Sequence, residues 1–307
     1  MTKGRPEPAL TTAQVPEILR RKLVFVSGKG GVGKTAVSQG IARALADAGL
    51  RTLWVCFEDP LQEPGAIRQH GPKLWYLNCS AELAFNEYAS LKIGSGPLSK
   101  IFLKNKLVQY LAKAAPGIHE LVLLGKVWYE RTHYDRIVVD LPSTGHGLAM
   151  FQSTKNFSVL FTGGPVHRDA ESMIETFGNP AESGHLILAL PEEMPLQEAL
   201  ELSGFLQDLF PENPPGFLVN RLFPGVEQTR QSQSEADQPD SWPTPLAKSA
   251  ADYLQKRMIL ENYNLRLWRD RKIPFGALDF VPPPDPSRSK ESVSDVLSEE
   301  LKRKGYL

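Results

Sequence analysis

Residues 28–35 read Gly28-Lys29-Gly30-Gly31-Val32-Gly33-Lys34-Thr35. This glycine-rich stretch follows an apolar run, Leu23–Val26, and precedes a segment whose apolar residues have helical spacing. It therefore has the pattern GxxxxGK[ST] in the strand–loop–helix context that the pattern requires. The glycines allow backbone N–H groups to surround a phosphate, and the N-terminus of the helix adds partial positive charge. We expect Lys34 to reach the β- and γ-phosphates of a nucleotide and the Thr35 hydroxyl to bind Mg²⁺.

Other apolar runs predict the strands of a parallel sheet. They are continuously apolar rather than alternating, which is typical of strands that are buried on both faces. The runs are Leu23–Val26, Thr52–Phe57, Arg136–Asp140, Phe157–Phe161, His185–Leu190 and Phe217–Asn220. Helical patterns lie between them. The sequence therefore predicts an α/β fold with a doubly wound, mostly parallel sheet of the P-loop NTPase type.

The expected domain organisation is one nucleotide-binding domain with short flanking segments. The domain covers residues 21–286, after an N-terminal tail at 1–20 and before a C-terminal tail or helix at 287–307. A helical subdomain is expected over about residues 61–130, inserted between the second and third strands. Its apolar patch, Leu98–Leu124, is interpreted either as the core of the subdomain or as a groove for a protein client.

One polar stretch interrupts the second half of the domain. Apolar residues nearly vanish over residues 228–245, which predicts a flexible loop there. A long helix is expected after it, from about Leu246 to Arg271.

Composition excludes several classes of protein. The 307 residues contain 35 basic and 35 acidic side chains, and a net charge of zero disfavours nucleic acid as a partner. With Cys56 and Cys79 as its two cysteines, the sequence does not predict a disulfide framework or a zinc site. No run approaches the roughly 18 apolar residues of a membrane span, and the N-terminus lacks the apolar region of a signal peptide. A cytoplasmic location is the expectation.

Two carboxylates are candidates to complete the phosphate site. Asp140 ends the apolar strand Arg136–Asp140, and a carboxylate at the carboxyl end of a strand faces the ligand crevice of an open α/β sheet. We expect it to act on Mg²⁺, although a helix-capping role is the alternative. Asp59 precedes Pro60 just after the second strand, where a plain turn is the alternative to a catalytic role.

Lys29 adds a second lysine directly after the first glycine of the loop. The string KGGVGKT resembles the deviant Walker A loop of the class that includes MinD, ParA, the nitrogenase iron protein and the ArsA-type ATPases. The resemblance implies that Lys29 reaches across a dimer interface to the nucleotide of the partner subunit.

Motifs along the chain narrow the resemblance to the ArsA family, which includes arsenical-pump ATPases and ATPases that target tail-anchored proteins. Residues 140–146, Asp-Leu-Pro-Ser-Thr-Gly-His, resemble the family signature DTAPTGHT. Asp59-Pro60 keeps the core of the family's STDPAHN switch, which implies that Asp59 orients the attacking water and also belongs to the Mg²⁺ site. The residues after the switch core differ from the family sequence.

The resemblance also assigns the nucleotide contacts. They are expected from the phosphate loop, from the start of the helix after it, and from two later positions near the base: Gly28, Gly30, Gly31, Val32, Gly33, Lys34, Thr35, Ala36, Asn220 and Pro282. Asn220 matches the position whose amide reads the adenine edge, with a turn role as the alternative. The nucleotide is expected to be ATP rather than GTP, because Thr154–Phe157 lacks the aspartate of a guanine-reading motif.

The expected function follows from this resemblance. It is that of an ATP-binding, Mg²⁺-dependent ATP hydrolase, working as a dimeric switch that couples nucleotide state to the binding or targeting of a protein partner. The dimer is expected with an identical chain or with a paralogous subunit. Two alternatives remain open: a MinD- or ParA-like positioning ATPase at a membrane or on DNA, and a nucleotide-binding scaffold with little hydrolysis. Peripheral membrane contact is not predicted.

Overall fold

The computed structural model describes residues 14–93, 117–160, 163–223, 245–282 and 292–307. Within these residues the chain forms one eight-stranded sheet. Its strands are β1 (Leu23–Gly28), β2 (Thr52–Phe57), β3 (Arg68–Gly71), β4 (Leu74–Cys79), β5 (Arg136–Asp140), β6 (Ser183–Ala189), β7 (Gly216–Leu222) and β8 (Phe275–Asp279).

Helices cover both faces of this sheet. Numbered along the described residues, they are α1 (Gln14–Leu19), α2 (Lys34–Asp47), α3 (Ala81–Ile93), α4 (Ile118–Glu130), α5 (Thr144–Leu160), α6 (Pro165–Gly178), α7 (Glu193–Leu209), α8 (Pro245–Asp270) and α9 (Val293–Arg303). One core holds buried residues of α1, α2 and α9 against the sheet, and the other holds buried residues of α3 to α8. Side chains of β1 point alternately to the two cores. Leu23 and Phe25 lie in the core with α3 to α8, and Val24 and Val26 lie in the core with α1, α2 and α9. The predicted doubly wound α/β fold is confirmed.

The strand order brings the predicted site residues to one edge. The order is β3-β4-β2-β5-β1-β6-β7-β8, and all neighbouring pairs are parallel except β3 with β4. Val26 of β1 pairs with Asp140 of β5, and Val55 of β2 pairs with Val139 of β5. Parallel strands have their carboxyl ends at the same edge, so the segments after β1, β2 and β5 lie side by side there.

Two expectations about local structure are wrong. Residues 61–79 are not helical: they contain a loop and the strands β3 and β4, so the helical region begins at α3. The run Phe157–Phe161 is not a strand, because residues up to Leu160 belong to α5, where Phe157 is a buried helix residue. The edge strand β8 was not anticipated. The apolar patch from Leu98 to residue 116 and most of the loop at 228–245 lie outside the described residues.

The flanking segments are parts of the core rather than tails. In α1, Val15, Ile18 and Leu19 are buried against the sheet. At the other end of the chain, Leu297 and Leu301 of α9 are buried against α2. The two helices are so close that a Cβ on Gly40 of α2 would lie 3.0 Å from Leu297 Cβ. The domain core therefore extends beyond the expected limits of 21 and 286.

A capping box and a buried hydroxyl fix the position of α9. The Ser292 side chain accepts from the Asp295 backbone N–H, and the Asp295 carboxylate accepts from the Ser292 backbone N–H. Beyond the helix, Tyr306 Oη accepts a 2.8 Å bond from the Ala277 N–H of β8. Because its apolar side is buried, α9 does not present the free amphipathic face that a membrane-positioning role would use. No helix among the described residues is both long and apolar enough to cross a bilayer.

Candidate nucleotide site

The phosphate loop joins β1 to α2 with the backbone that its sequence predicts. Gly33, directly before α2, has φ of 94°, a left-handed conformation that suits glycine. A Cβ at this position would also lie 2.6 Å from Asn220 Nδ2. Glycine is therefore required here both by conformation and by space.

The two lysines of the loop have different partners. Lys34 Nζ donates to the backbone oxygen of Lys29 at 3.0 Å. Burial lowers the pKa of Lys34, while Asp140 opposes the shift. Lys29 itself forms an ion pair with Glu198 of α7, at 2.5 Å between Nζ and Oε1.

Thr35 and Asp140 form the central polar pair. Thr35 Oγ1 donates to Asp140 Oδ2 at 2.6 Å, across 105 residues of sequence. Asp140 is only 8% exposed, and its other oxygen, Oδ1, is buried without a hydrogen-bond partner among the described residues. Burial raises the pKa of Asp140, partly offset by the Thr35 bond and by Lys34. A buried carboxylate with an unpaired oxygen beside a hydroxyl is the donor set that a hard cation such as Mg²⁺ prefers.

A second layer behind this pair was not anticipated from the sequence. Trp54 Nε1 of β2 donates to Ser38 Oγ at 3.1 Å, and Ser38 Oγ donates to the Thr35 carbonyl at 3.0 Å. Cys56 Sγ lies 3.8 Å from Asp140 Oδ2, and burial raises the pKa of this thiol, so it stays protonated and donates. These contacts fix the first turn of α2 relative to β2 and β5.

Asp59 is held at the end of β2 by Asn78. The Asp59 N–H donates to Asn78 Oδ1 at 2.9 Å, and Asn78 Nδ2 donates back to the Asp59 carbonyl at 3.0 Å. The Asp59 carboxylate accepts from the Leu61 N–H at 2.9 Å, which is the hydrogen bond of an Asx turn. The turn role of this residue is thus present, and Asp59 is near enough to Asp140 to raise the pKa of that carboxyl.

The residue before Asp59 ties the same loop to the helical region. Glu58 has φ of 49°, and its carboxylate accepts from the Ala81 N–H at the start of α3. The other oxygen of Glu58 lies 3.1 Å from His119 Nε2 of α4. A movement of this loop would therefore change its hydrogen bonds to α3 and α4.

Asn220 lies beneath the phosphate loop rather than at an exposed site. It is 4% exposed; its Nδ2 donates to the Val32 carbonyl at 2.9 Å, and its Oδ1 accepts from the Arg221 N–H. Both functions of the amide are engaged, which makes Asn220 a brace between β7 and the loop. Pro282 is exposed after β8, near the end of β7, since the Phe280 N–H donates to the Leu222 carbonyl.

The structure thus gathers most of the predicted site residues at one edge. The loop residues, Asp59 and Asp140 come from the neighbouring strands β1, β2 and β5, and Asn220 contacts the loop from β7. Gly30 and Gly31 are exposed, while Val32 is buried and Ala36 is half-buried. Sequence reasoning missed Asn78, Trp54 and Glu198, which have no motif around them, and Glu58, although it directly precedes the Asp59-Pro60 switch core.

Comparisons with known proteins agree with this geometry. The family model described as Anion-transporting ATPase matches residues 21–63, which contain β1, the phosphate loop, α2 and the Asp59 turn. ATPase BagA of Mycobacterium tuberculosis is 31% identical over 226 residues, covering 66% of this chain and 66% of that protein. This chain belongs to the ArsA-type ATPase family.

Relatives of this ArsA-type ATPase also occur in algae and plants. ATPase ARSA2 of Chlamydomonas reinhardtii is 31% identical over 155 residues, 49% of this chain and 42% of the relative. ATPase GET3B of Arabidopsis thaliana is 28% identical over 182 residues, 48% of this chain and 44% of the relative. The chain thus spans just under two thirds of the mycobacterial protein and less than half of the other two. All three of these relatives are named ATPases.

The role of Asn220 in this ArsA-type ATPase leads to a first prediction. In Asn220→Ala the loop loses its brace, so we expect the affinities for ATP and GTP to fall by the same factor, about tenfold. Isothermal titration with both nucleotides measures this. Asn213→Ala is the matched control, since Asn213 is also buried but bonds the carbonyls of Phe177 and Ser183, away from the loop. A loss confined to ATP would instead identify Asn220 as an adenine reader.

Proposed function

We propose that the protein is a Mg²⁺-dependent ATP hydrolase that works as a nucleotide-controlled dimeric switch for a protein partner. The observation that carries the proposal is the arrangement around Asp140. Its unpaired buried oxygen, the Thr35 hydroxyl and the Lys34 ammonium converge at the start of α2, which is where a phosphate chain and its cation bind in this class of loop.

In this proposal Thr35 and Asp140 hold Mg²⁺, with Asp59 beside them. The fit rests on the orphaned Asp140 Oδ1 and on the all-oxygen donor set. When bound, the ion neutralises charge on the phosphate oxygens.

In this proposal, each polar group of the site has a separate role in the reaction. Lys34 exchanges the Lys29 carbonyl for phosphate oxygens, and the loop N–H groups bind the rest of the phosphate chain. Asp59 orients the attacking water; because Leu61 holds Oδ1, we assign Oδ2 to the water. Asn78 keeps the Asp59 backbone in place, and Asn220 does the same for the loop. Because these hydrogen bonds hold the groups in place, the water can align with the phosphate without reorganisation.

The dimer follows from Lys29. Its own phosphates are already served by Lys34 and the loop N–H groups, so a second cation on the same loop is useful mainly for another subunit's nucleotide. The Lys29 side chain is 48% exposed, which leaves it accessible to a second chain. A two-fold pairing satisfies both subunits at once. The partner is a second copy or a paralogue.

Lys29→Ala tests this part of the proposal. Without the ammonium that crosses the interface, we expect ATP turnover to fall about 100-fold while the affinity for a non-hydrolysable ATP analogue changes by less than about twofold. The measurements are steady-state hydrolysis and calorimetric titration. Lys256→Ala is the control, since Lys256 is an exposed lysine of α8.

Analytical ultracentrifugation with the same analogue and Mg²⁺ completes the test. Wild type is expected to sediment as a dimer and Lys29→Ala as a weaker one. A wild-type chain that stays monomeric at all concentrations, together with a fully active Lys29→Ala variant, would refute the dimeric switch. Wild type that dimerises without hydrolysing ATP would point to the scaffold alternative.

A protein partner is supported by exposed apolar side chains near the helices that the Asp59 loop contacts. Leu91 of α3 and Tyr129 of α4 are exposed and line an apolar cavity of about 150 Å³ between α3, α4 and α6, and Leu83 of α3 is also exposed. By contrast, Leu121, Leu123 and Leu124 are buried, so this part of the patch that ends at Leu124 is core rather than groove. Glu58 connects the loop that carries Asp59 to α3 and α4. A change of that loop on nucleotide binding or hydrolysis would therefore alter this exposed surface. A cytoplasmic location goes with this proposal, in keeping with two buried free thiols, Cys56 and Cys79.

A further inference from the structure

The ion pair between Lys29 and Glu198 joins two parts of the chain that are 169 residues apart. Lys29 lies in the phosphate loop, and Glu198 lies in the second turn of α7. One carboxylate oxygen of Glu198 contacts the Lys29 ammonium, while Oε2 is buried and has no hydrogen-bond partner among the described residues. Among the described residues, Lys29 is thus the hydrogen-bond donor to the Glu198 carboxylate.

This contact competes with the role that the proposed function gives to Lys29. An ammonium bound to Glu198 of its own subunit cannot at the same time bind phosphates of a second subunit. If Lys29 leaves, Oε1 loses its donor while Oε2 already has none, so a half-buried carboxylate remains uncompensated. Phosphates bound in the loop would bring further negative charge near this carboxylate and add repulsion.

We propose that Glu198 is an intramolecular restraint on Lys29, which holds the lysine in its own subunit and raises the cost of forming the closed dimer. This rests on the proposed function, because it assumes that Lys29 crosses the interface. Its effect is to keep the chain monomeric until nucleotide binding supplies the energy to release Lys29. The restraint is modest in size, since both side chains are partly exposed.

Glu198→Gln tests the restraint with almost no change in shape. At saturating non-hydrolysable ATP analogue and Mg²⁺, we expect the dissociation constant of the dimer to fall about fivefold, as measured by sedimentation over a range of protein concentrations. Saturation removes any effect of the substitution on nucleotide affinity. Glu201→Gln is the matched control, because Glu201 is exposed one turn further along α7 and contacts Gln197.

A double-mutant cycle shows whether the effect passes through Lys29. In a Lys29→Ala background, Glu198→Gln is expected to leave the dissociation constant unchanged within about twofold. An equal gain in both backgrounds would mean a general charge effect and would overturn the restraint. A weaker dimer in Glu198→Gln would also overturn it, since Glu198 would then support Lys29 in the dimer. Failure of the proposed function is distinguishable, because wild type itself would then not dimerise.

Discussion

ATP turnover is expected to fall about a thousandfold in Lys34→Ala. The Lys34 ammonium is the partly buried cation of the loop, and its partner is a backbone carbonyl that it can exchange for phosphate oxygens. Backbone N–H groups cannot replace a full charge next to the β- and γ-phosphates. Binding is also expected to weaken, which a thermal-shift assay detects: wild type gains about 2.7 kcal/mol at 100 times its dissociation constant, and the variant gains almost nothing.

The control for Lys34→Ala is Lys73→Ala. Lys73 also donates to a backbone carbonyl, that of Gly49, but it lies just before β4, at the opposite edge of the sheet. Its loss is expected to leave turnover and thermal shift unchanged. Wild-type affinity and turnover in Lys34→Ala would remove the phosphate role from this lysine.

Asp59→Asn is expected to lower turnover roughly 500-fold while leaving ATP affinity within about twofold of wild type. The amide oxygen of asparagine can still accept from Leu61, and the two bonds to Asn78 use the Asp59 backbone, so the loop keeps its shape. What is lost is the negative charge that polarises the water. Single-turnover hydrolysis, together with calorimetric titration of the ATP analogue, separates the two effects.

Glu63→Gln serves as the control for this substitution. Glu63 lies in the same loop and is exposed, with an ion pair to Arg68 at 3.4 Å. We expect wild-type turnover there. If binding and hydrolysis fell together in Asp59→Asn, the carboxylate would be a structural turn residue only.

The start of the fold was predictable because its signals are local. The phosphate loop carries its conformation in its own glycines, and Asp140 ends an apolar run that cannot avoid a buried strand. The same rule failed for Phe157–Phe161, since a short apolar run does not distinguish a strand from one face of a buried helix. The strand Leu74–Cys79 was not predicted, although its sequence is strand-like, because it lies in a region whose other segments have helical spacing.

The supports of the site could not be predicted, because they are made by residues far apart in the chain. Asn78 accepts a hydrogen bond from the Asp59 N–H, and it lies on β4, which was not predicted. Asn220 donates to the Val32 carbonyl across 188 residues of sequence. Glu198 looks like any acidic residue of an amphipathic helix. Only the strand order brings these residues to the loop. A motif identifies the groups that touch the substrate, while the groups that hold them are set by tertiary packing.

The close contact between α9 and α2 has a consequence for biosynthesis. The helix that begins at Lys34 is synthesised about 250 residues before α9, yet its face at Gly40 is covered by α9. At about 5–20 residues per second, more than ten seconds separate the two events. During that interval the face of α2 at Gly40 is uncovered, and the core that holds α1, α2 and α9 is incomplete. Nucleotide bound to the newly made loop would therefore occupy an unfinished domain.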